Sequence, residues 1–435
     1  MRTILARPIC IVVVCLFLSL LFVGCSANST PEPSETSSPS VMPTPSGEQP
    51  VESATPSPSQ LPSPSSTTDT DPIKETISRL TLEQKVGQMI LAGIDGTAID
   101  SSMKKMIAEQ HVGGIILYKN NFSDLEGSAK LVNDLKKANA VNPLPIFMSV
   151  DQEGGKVSRL PKDFVAMPDA AKVGRTGNPE LAKEMGSLLS QELNLMGFNV
   201  DFAPVLDINS NPKNPVIGSR SFGDNATLVT DMGIAAMKGL QEGGTIAVVK
   251  HFPGHGDTSV DSHLELPVVR KTTEQLEAME WVPFRKAIEE DAAAVMVAHI
   301  LFPLIDPDAP ASFSKIIIGE QLRGTLGYDG VVITDDMTMG AISDHYGIAD
   351  AAVKSVEAGS DILLVAHGYD VAKQVYDKLL QAVKSGKIEE SRIDESVRRI
   401  LVLKSKYQVS DEPVPTPSID DLPNDEIRQW LARLK

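Results

Sequence analysis

Lys250 to Pro267, KHFPGHGDTSVDSHLELP, holds three of the chain's seven histidines, interleaved with glycines and aspartates. A metal site is the first chemistry to test. His251 and His255 are four apart, a spacing that puts two ligands on one face of a helix. Pro253, Gly254 and Gly256 make the segment a loop instead, no glutamate stands between the two histidines, and no cysteine is near. No metal is therefore expected. Proton transfer suits the residues better, because Asp261-Ser262-His263 sets a carboxylate two residues from an imidazole. A carboxylate that accepts a hydrogen bond from one ring nitrogen fixes the tautomer and raises the basicity of the other. Such a ring can donate a proton to a leaving group and later take one from water. An Asp-x-His pair also occurs incidentally in surface loops, so the pattern needs a partner nucleophile.

GVVITDDMTMGAI offers one in Asp335, which ends an apolar run and is followed by small residues. A carboxylate in that sheltered place can attack an electrophilic carbon and form a covalent intermediate, as in retaining glycosidases. An aspartate before a helix can equally be an N-cap, and with Asp336 next in sequence one of the two can cap while the other reacts. SVDQEGGKVSRL adds Asp151 and Arg159, able to grip sugar hydroxyls or to form a structural ion pair. GSRSFGD adds Arg220, a second cation.

These residues need a frame that brings them together. From about residue 72 the chain alternates short apolar runs with longer amphipathic segments. The runs are QMILAGI, VGGIILY, PIFMSVD, FNVDFAPV, TIAVVKHF, AAVMVAHI, GVVITDD and DILLVAHG. Each is short and nearly continuous, as expected of strands covered on both faces of a parallel sheet. Helices are predicted between them, for example over PELAKEMGSLLSQELNLMG and LVTDMGIAAMKGLQEGG, both ending in glycine. Eight strand–helix units fit a (β/α)8 barrel, with a doubly wound open sheet as the rival. Asp151, Lys250-His251, His299 and Asp335-Asp336 all fall at the C-terminal ends of runs. A barrel gathers those ends at one mouth, whereas an open sheet spreads them along an edge.

The flanks read differently. MRTILARP followed by ICIVVVCLFLSLLFVG has the charge and apolar pattern of a secretory signal over residues 1–24. FVG-Cys resembles a bacterial lipoprotein signal, which makes Cys25 the expected lipidation site; an uncleaved membrane anchor is the alternative. Either places the body outside the cytoplasmic membrane. All three cysteines lie in or end this leader, so the exported body has neither a disulfide nor a thiolate site. Residues 26–71 are rich in Ser, Pro and Thr and lack Lys and Arg, the composition of a disordered tether. At ~3.1 Å per residue it could reach roughly 140 Å. The formal net charge is −17, and removing Arg2 and Arg7 with the leader makes it two units more negative. That charge argues against nucleic acid as a partner. The expected organisation is a leader (1–24), a lipidated tether (25–71), one catalytic domain (72–410) and a proline-containing tail (411–435), with no second globular domain.

Taken together and in this order, DQEGGKVSRLP, FNVDFAPVLDIN, IGSRSFGD, KHFPGHGDTSVDSHLELP and ITDDMTMGAI resemble glycoside hydrolase family 3, in its β-N-acetylglucosaminidase branch, over about residues 75–407. The resemblance implies a single TIM barrel, with Asp335 as nucleophile and His263 as general acid/base partnered by Asp261. It implies that Asp151, Arg159, Arg220, Lys250 and His251 bind N-acetylglucosamine in the first subsite, while His255 shapes the loop. It implies no cofactor. Family β-glucosidases carry a Glu acid/base in a later domain, whereas a histidine on the barrel's own loop makes one domain sufficient. Some Gram-positive members carry an extra C-terminal α/β domain, and no such domain is expected from this sequence. The expectation is a monomeric, membrane-tethered exo-β-N-acetylglucosaminidase acting on peptidoglycan fragments or chitooligosaccharides. Its rivals are a phosphorylase using the same dyad and a non-catalytic wall-binding lipoprotein.

Overall fold

The computed structural model describes residues 71–434. The leader, the Cys25 lipidation site and the tether up to residue 70 lie outside the described residues. Asp71 opens the fold by capping the helix Pro72–Arg79, its carboxylate accepting from Ile73 N.

All eight expected runs are parallel strands: β1 (Ile90–Gly93), β2 (Gly114–Leu117), β3 (Phe147–Val150), β4 (Val200–Asp201), β5 (Ile246–Phe252), β6 (Ala294–Val297), β7 (Val331–Thr334) and β8 (Leu363–Val365). Each pairs with its sequence neighbour, and β8 returns to β1. Between β7 and β8 a bridge at Ile333 and Ile362 closes the ring. The strands are buried throughout, because their inner face fills the barrel and their outer face meets the helices. β4 is shorter than its apolar run because Pro204 has no N–H to continue the ladder. The helices Pro179–Leu195 and Ala226–Glu242 cross backbone to backbone. A Cβ on Gly186 would stand 2.1 Å from Ala236 O, and one on Gly239 2.0 Å from Lys183 O.

Buried polar groups lock the barrel's N-terminal end, opposite the mouth. Lys404 Nζ donates to Gln88 Oε1 at 2.6 Å and Pro145 O at 2.6 Å, and sits 4.6 Å from the Phe147 ring centre. Asp361, fully buried before β8, holds Arg323 at 2.6 Å and Arg399 at 3.3 Å. Packing at this end of a barrel serves stability, and the strands' far ends are left for the site.

Residues 411–434 are more than a tail. Asn424–Ala432 forms a helix that buries Ile427 and Trp430. Trp430 Nε1 donates to Leu181 O at 3.1 Å, and Asn424 accepts from Val165 N at 2.7 Å while donating to Asp163 O. The 3-then-4 spacing of Ile427, Trp430 and Leu434 supplies the apolar stripe for this docking.

Candidate active site

The C-terminal ends of β2, β3, β5, β7 and β8 and their loops line one pocket at the barrel mouth. Its cavity volume is ≈ 180 Å³. Asp151, Arg159, Arg220, Lys250, His251, His263 and Asp335 all line it, so the expected residues do converge. Asp261 stands behind His263 as its partner.

Asp335 follows β7 directly, and its N–H donates to Val297 O of β6 at 2.9 Å. Burial opposes its charge, but the imidazoles of His251 and His299 and the Asp336 N–H outweigh that and bring its carboxyl down to about 2. It is therefore ionised at neutral pH. It caps no helix. Asp336 does the structural work instead, accepting from Thr338 N and Ala366 N and from Thr338 Oγ1 at 2.7 Å, which ties the turn after β7 to β8. His299, fully buried, supports the same turn: Nε2 donates to Asp336 O at 3.0 Å and Nδ1 meets Ser312 Oγ at 2.7 Å.

On the opposite wall two acids and three bases interlock. Lys250 Nζ reaches Asp151 Oδ1 and Glu153 Oε1, both at 2.7 Å. Arg220 grips Glu153 through Nε at 2.8 Å and Nη2 at 2.7 Å. Burial would raise the Glu153 carboxyl, yet the Arg220 and Lys250 charges hold it well below the usual carboxylate range. Arg159 Nη2 is 4.0 Å from Asp151 Oδ2, and its guanidinium lies over the Tyr118 ring. His251 Nδ1 donates to Asp207 Oδ2 at 2.6 Å, which leaves Nε2 as the other face of the ring. The buried Asp207 also accepts from the main-chain N–H groups of His251 and His255. The peptide between Lys250 and His251 is cis, as are those before Pro204 and Pro253.

His263 Nδ1 donates to Asp261 Oδ1 at 2.7 Å, and the same oxygen accepts His263 N–H at 2.9 Å. The local Asp-x-His pairing is real, and it frees Nε2 for a substrate. The three histidines of the opening stretch thus have three separate sets of partners. His251 is held by Asp207, His263 by Asp261, and His255 is buried between Thr258 and Ser262.

Four residues of this site were not singled out from sequence. Glu153 and Asp207 lie inside quoted segments but had no assigned role; an acid within the otherwise apolar VLDI was the available signal. Tyr118 and His367 stack with ring centres 5.2 Å apart and line the pocket. Both end apolar runs, so the strand-end rule applied to the other residues reaches them too.

The comparisons with known proteins agree with this geometry. The model of the glycosyl hydrolase family 3 N-terminal domain matches residues 81–403. The β-hexosaminidase of Thiobacillus denitrificans is 34% identical over 296 residues, 67% of this chain and 81% of that protein. β-Hexosaminidase A of Pseudoalteromonas piscicida is also 34% identical, over 72% of this chain; the aligned part spans 56% of that longer protein. Among solved structures, a family 3 β-N-acetylglucosaminidase from Paenibacillus sp. FPU-7 superposes with a TM-score of 0.79 at 46% identity, covering 82% of this chain and 68% of that one. The β-N-acetylhexosaminidase from Beutenbergia cavernae gives 0.71 at 31% identity, covering 75% and 99%. With the barrel, the strand-end residues and these matches in agreement, the chain belongs to glycosyl hydrolase family 3 and is a glycosidase.

Proposed function

We propose that the chain is an exo-acting, retaining β-N-acetylglucosaminidase that removes terminal non-reducing N-acetylglucosamine from peptidoglycan fragments or chitooligosaccharides. The observation that carries this reading is an ionised Asp335 sharing one pocket with an Asp-supported His263. In the first step an Asp335 oxygen attacks the anomeric carbon while His263 Nε2–H protonates the departing glycosidic oxygen. The bond to the leaving group breaks as the ester to Asp335 forms. In the second step His263 Nε2 takes a proton from water, the resulting hydroxide attacks the anomeric carbon, and Asp335 leaves as carboxylate. Two inversions give net retention. The ion-paired wall of Asp151, Lys250, Arg220 and His251 provides donors and acceptors for the hydroxyls and N-acetyl group of one terminal sugar.

The sequence of the N-terminal flank supports a lipid anchor at Cys25 and a Ser/Pro/Thr tether that presents the barrel outside the cytoplasmic membrane. The test is product analysis with purified muropeptides and chitooligosaccharides, with and without phosphate. Free N-acetylglucosamine of retained configuration is expected in both buffers. A sugar 1-phosphate as main product would replace hydrolysis by phosphorolysis, and binding without turnover would leave a wall-binding protein.

A further inference from the structure

Between the two exposed members of the dyad, Ser262 points inward and is 1% exposed. Its Oγ lies 2.9 Å from Nε2 of the equally buried His255. Asn214 accepts from Val216 N and Ile217 N through Oδ1, which turns its Nδ2 toward Thr258 Oγ1 at 3.1 Å. Thr258 Oγ1 lies 3.1 Å from His255 O and 3.0 Å from His255 Nδ1, so its single proton serves one of the two. One proton bridges His255 Nε2 and Ser262 Oγ, whichever neutral tautomer the ring holds. Burial, with the neighbouring His251 adding to it, pushes His255 down to about 4, so its ring is neutral at neutral pH.

Two main-chain bonds hold the same segment from the other side. Ala341 N donates to Ser262 O at 3.2 Å and Gly340 N to His263 O at 3.1 Å. Both donors belong to the turn that leaves Asp335. The contact is close, since a Cβ on Gly340 would meet His263 O at 2.8 Å and Leu264 O at 2.9 Å. Two carbonyl contacts alone leave the loop able to pivot about the line joining them. A third, side-chain anchor on the opposite side removes that freedom.

We propose that Ser262 is a positioning residue, whose hydroxyl bond to His255 completes a three-point clamp that sets His263 relative to the Asp335 turn. It acts through His263. The inference rests on the proposed acid/base role of His263, and the test separates the two. Ser262→Ala, Ser262→Thr and Gly340→Ala are assayed on 4-methoxyphenyl and 2,4-dinitrophenyl N-acetyl-β-glucosaminides, which differ in their need for a proton. General acid help is worth ~10²–10⁴-fold, so partial misplacement in Ser262→Ala should lower kcat/KM for the methoxyphenyl substrate by ~10–100-fold. The dinitrophenyl rate should change by less than about threefold, since that leaving group needs little protonation. Ser262→Thr should restore the methoxyphenyl rate. Gly340→Ala should reproduce the leaving-group signature from the other side of the clamp, and it carries the test should Ser262→Ala fold poorly. Equal losses on both substrates, or no loss in either variant, would overturn the clamp while leaving the glycosidase reading intact. A wild-type chain that cleaves neither substrate would overturn that reading, and the inference with it.

Discussion

Lys250 and Glu153 are almost sealed from solvent, at 2% and 5% side-chain exposure, whereas His263, which lines the same pocket as Lys250, leaves 62% of its side chain exposed. The two walls do different jobs. In the proposed mechanism the buried wall presents a fixed set of donors and acceptors to one sugar. Its interlocked charges cannot relax without leaving a buried ion unpaired, which costs about 3–5 kcal/mol. In the same mechanism the exposed dyad meets two partners in turn, a leaving group and then water. An imidazole on an open loop can exchange protons with both. Its placement rests on a few bonds rather than on an ion-paired core, so it is the wall that small changes disturb selectively.

That contrast can be broken from either side. The largest effect is expected at the sheltered nucleophile: Asp335→Ala should lower kcat by at least ~10⁴-fold on every substrate, because no covalent intermediate can form. Steady-state assays with good and poor leaving groups check it, and a loss confined to poor leaving groups would move the nucleophile elsewhere. On the exposed wall, His263→Ala should cost ~10²–10⁴-fold with poor leaving groups and far less with dinitrophenolate. A uniform loss would mean that His263 serves binding rather than proton transfer.

The smallest effect sharpens the view of the buried shell behind the pocket. Glu192, 1% exposed on the helix Pro179–Leu195, makes no hydrogen bond through either carboxyl oxygen. Burial pushes its carboxyl up from 4.5 to about 8, the nearby Gln152 amide offsetting only a part. Between those pH values the folded chain keeps a proton that the unfolded chain has lost. This group's contribution is therefore whole below about pH 4.5, declines as pH rises through 8, and is level above. Glu192→Gln removes the dependence. Its melting temperature should match wild type near pH 4 and exceed it by roughly 1–4 °C at pH 8.5, with kcat unchanged. Thermal melts across pH decide this, and a wild-type advantage at pH 8.5 would show that the carboxylate is stabilised in the fold.

Much of this protein was legible in its residues, for identifiable reasons. Eight apolar runs mark eight strands because a parallel barrel buries both faces of each strand, so burial shows as unbroken hydrophobicity. Polar residues closing those runs mark the mouth, and Asp261 finds His263 because the two are only two positions apart. The docked helix Asn424–Ala432 shows how far local signals reach. Its apolar stripe is visible in sequence, but its partner Leu181 is 249 residues away.

The sequence by itself therefore determined the barrel, the candidate reactive side chains and the local dyad. Only the tertiary structure decided which buried acid serves which base: Asp207 with His251, 44 residues apart; Glu153 with Arg220, 67 apart; and Asp151 with Lys250, 99 apart. No local propensity links such residues. Closing the barrel brings their strand ends within hydrogen-bond reach, and burial then leaves each charge no solvent to turn to and only its neighbour as partner.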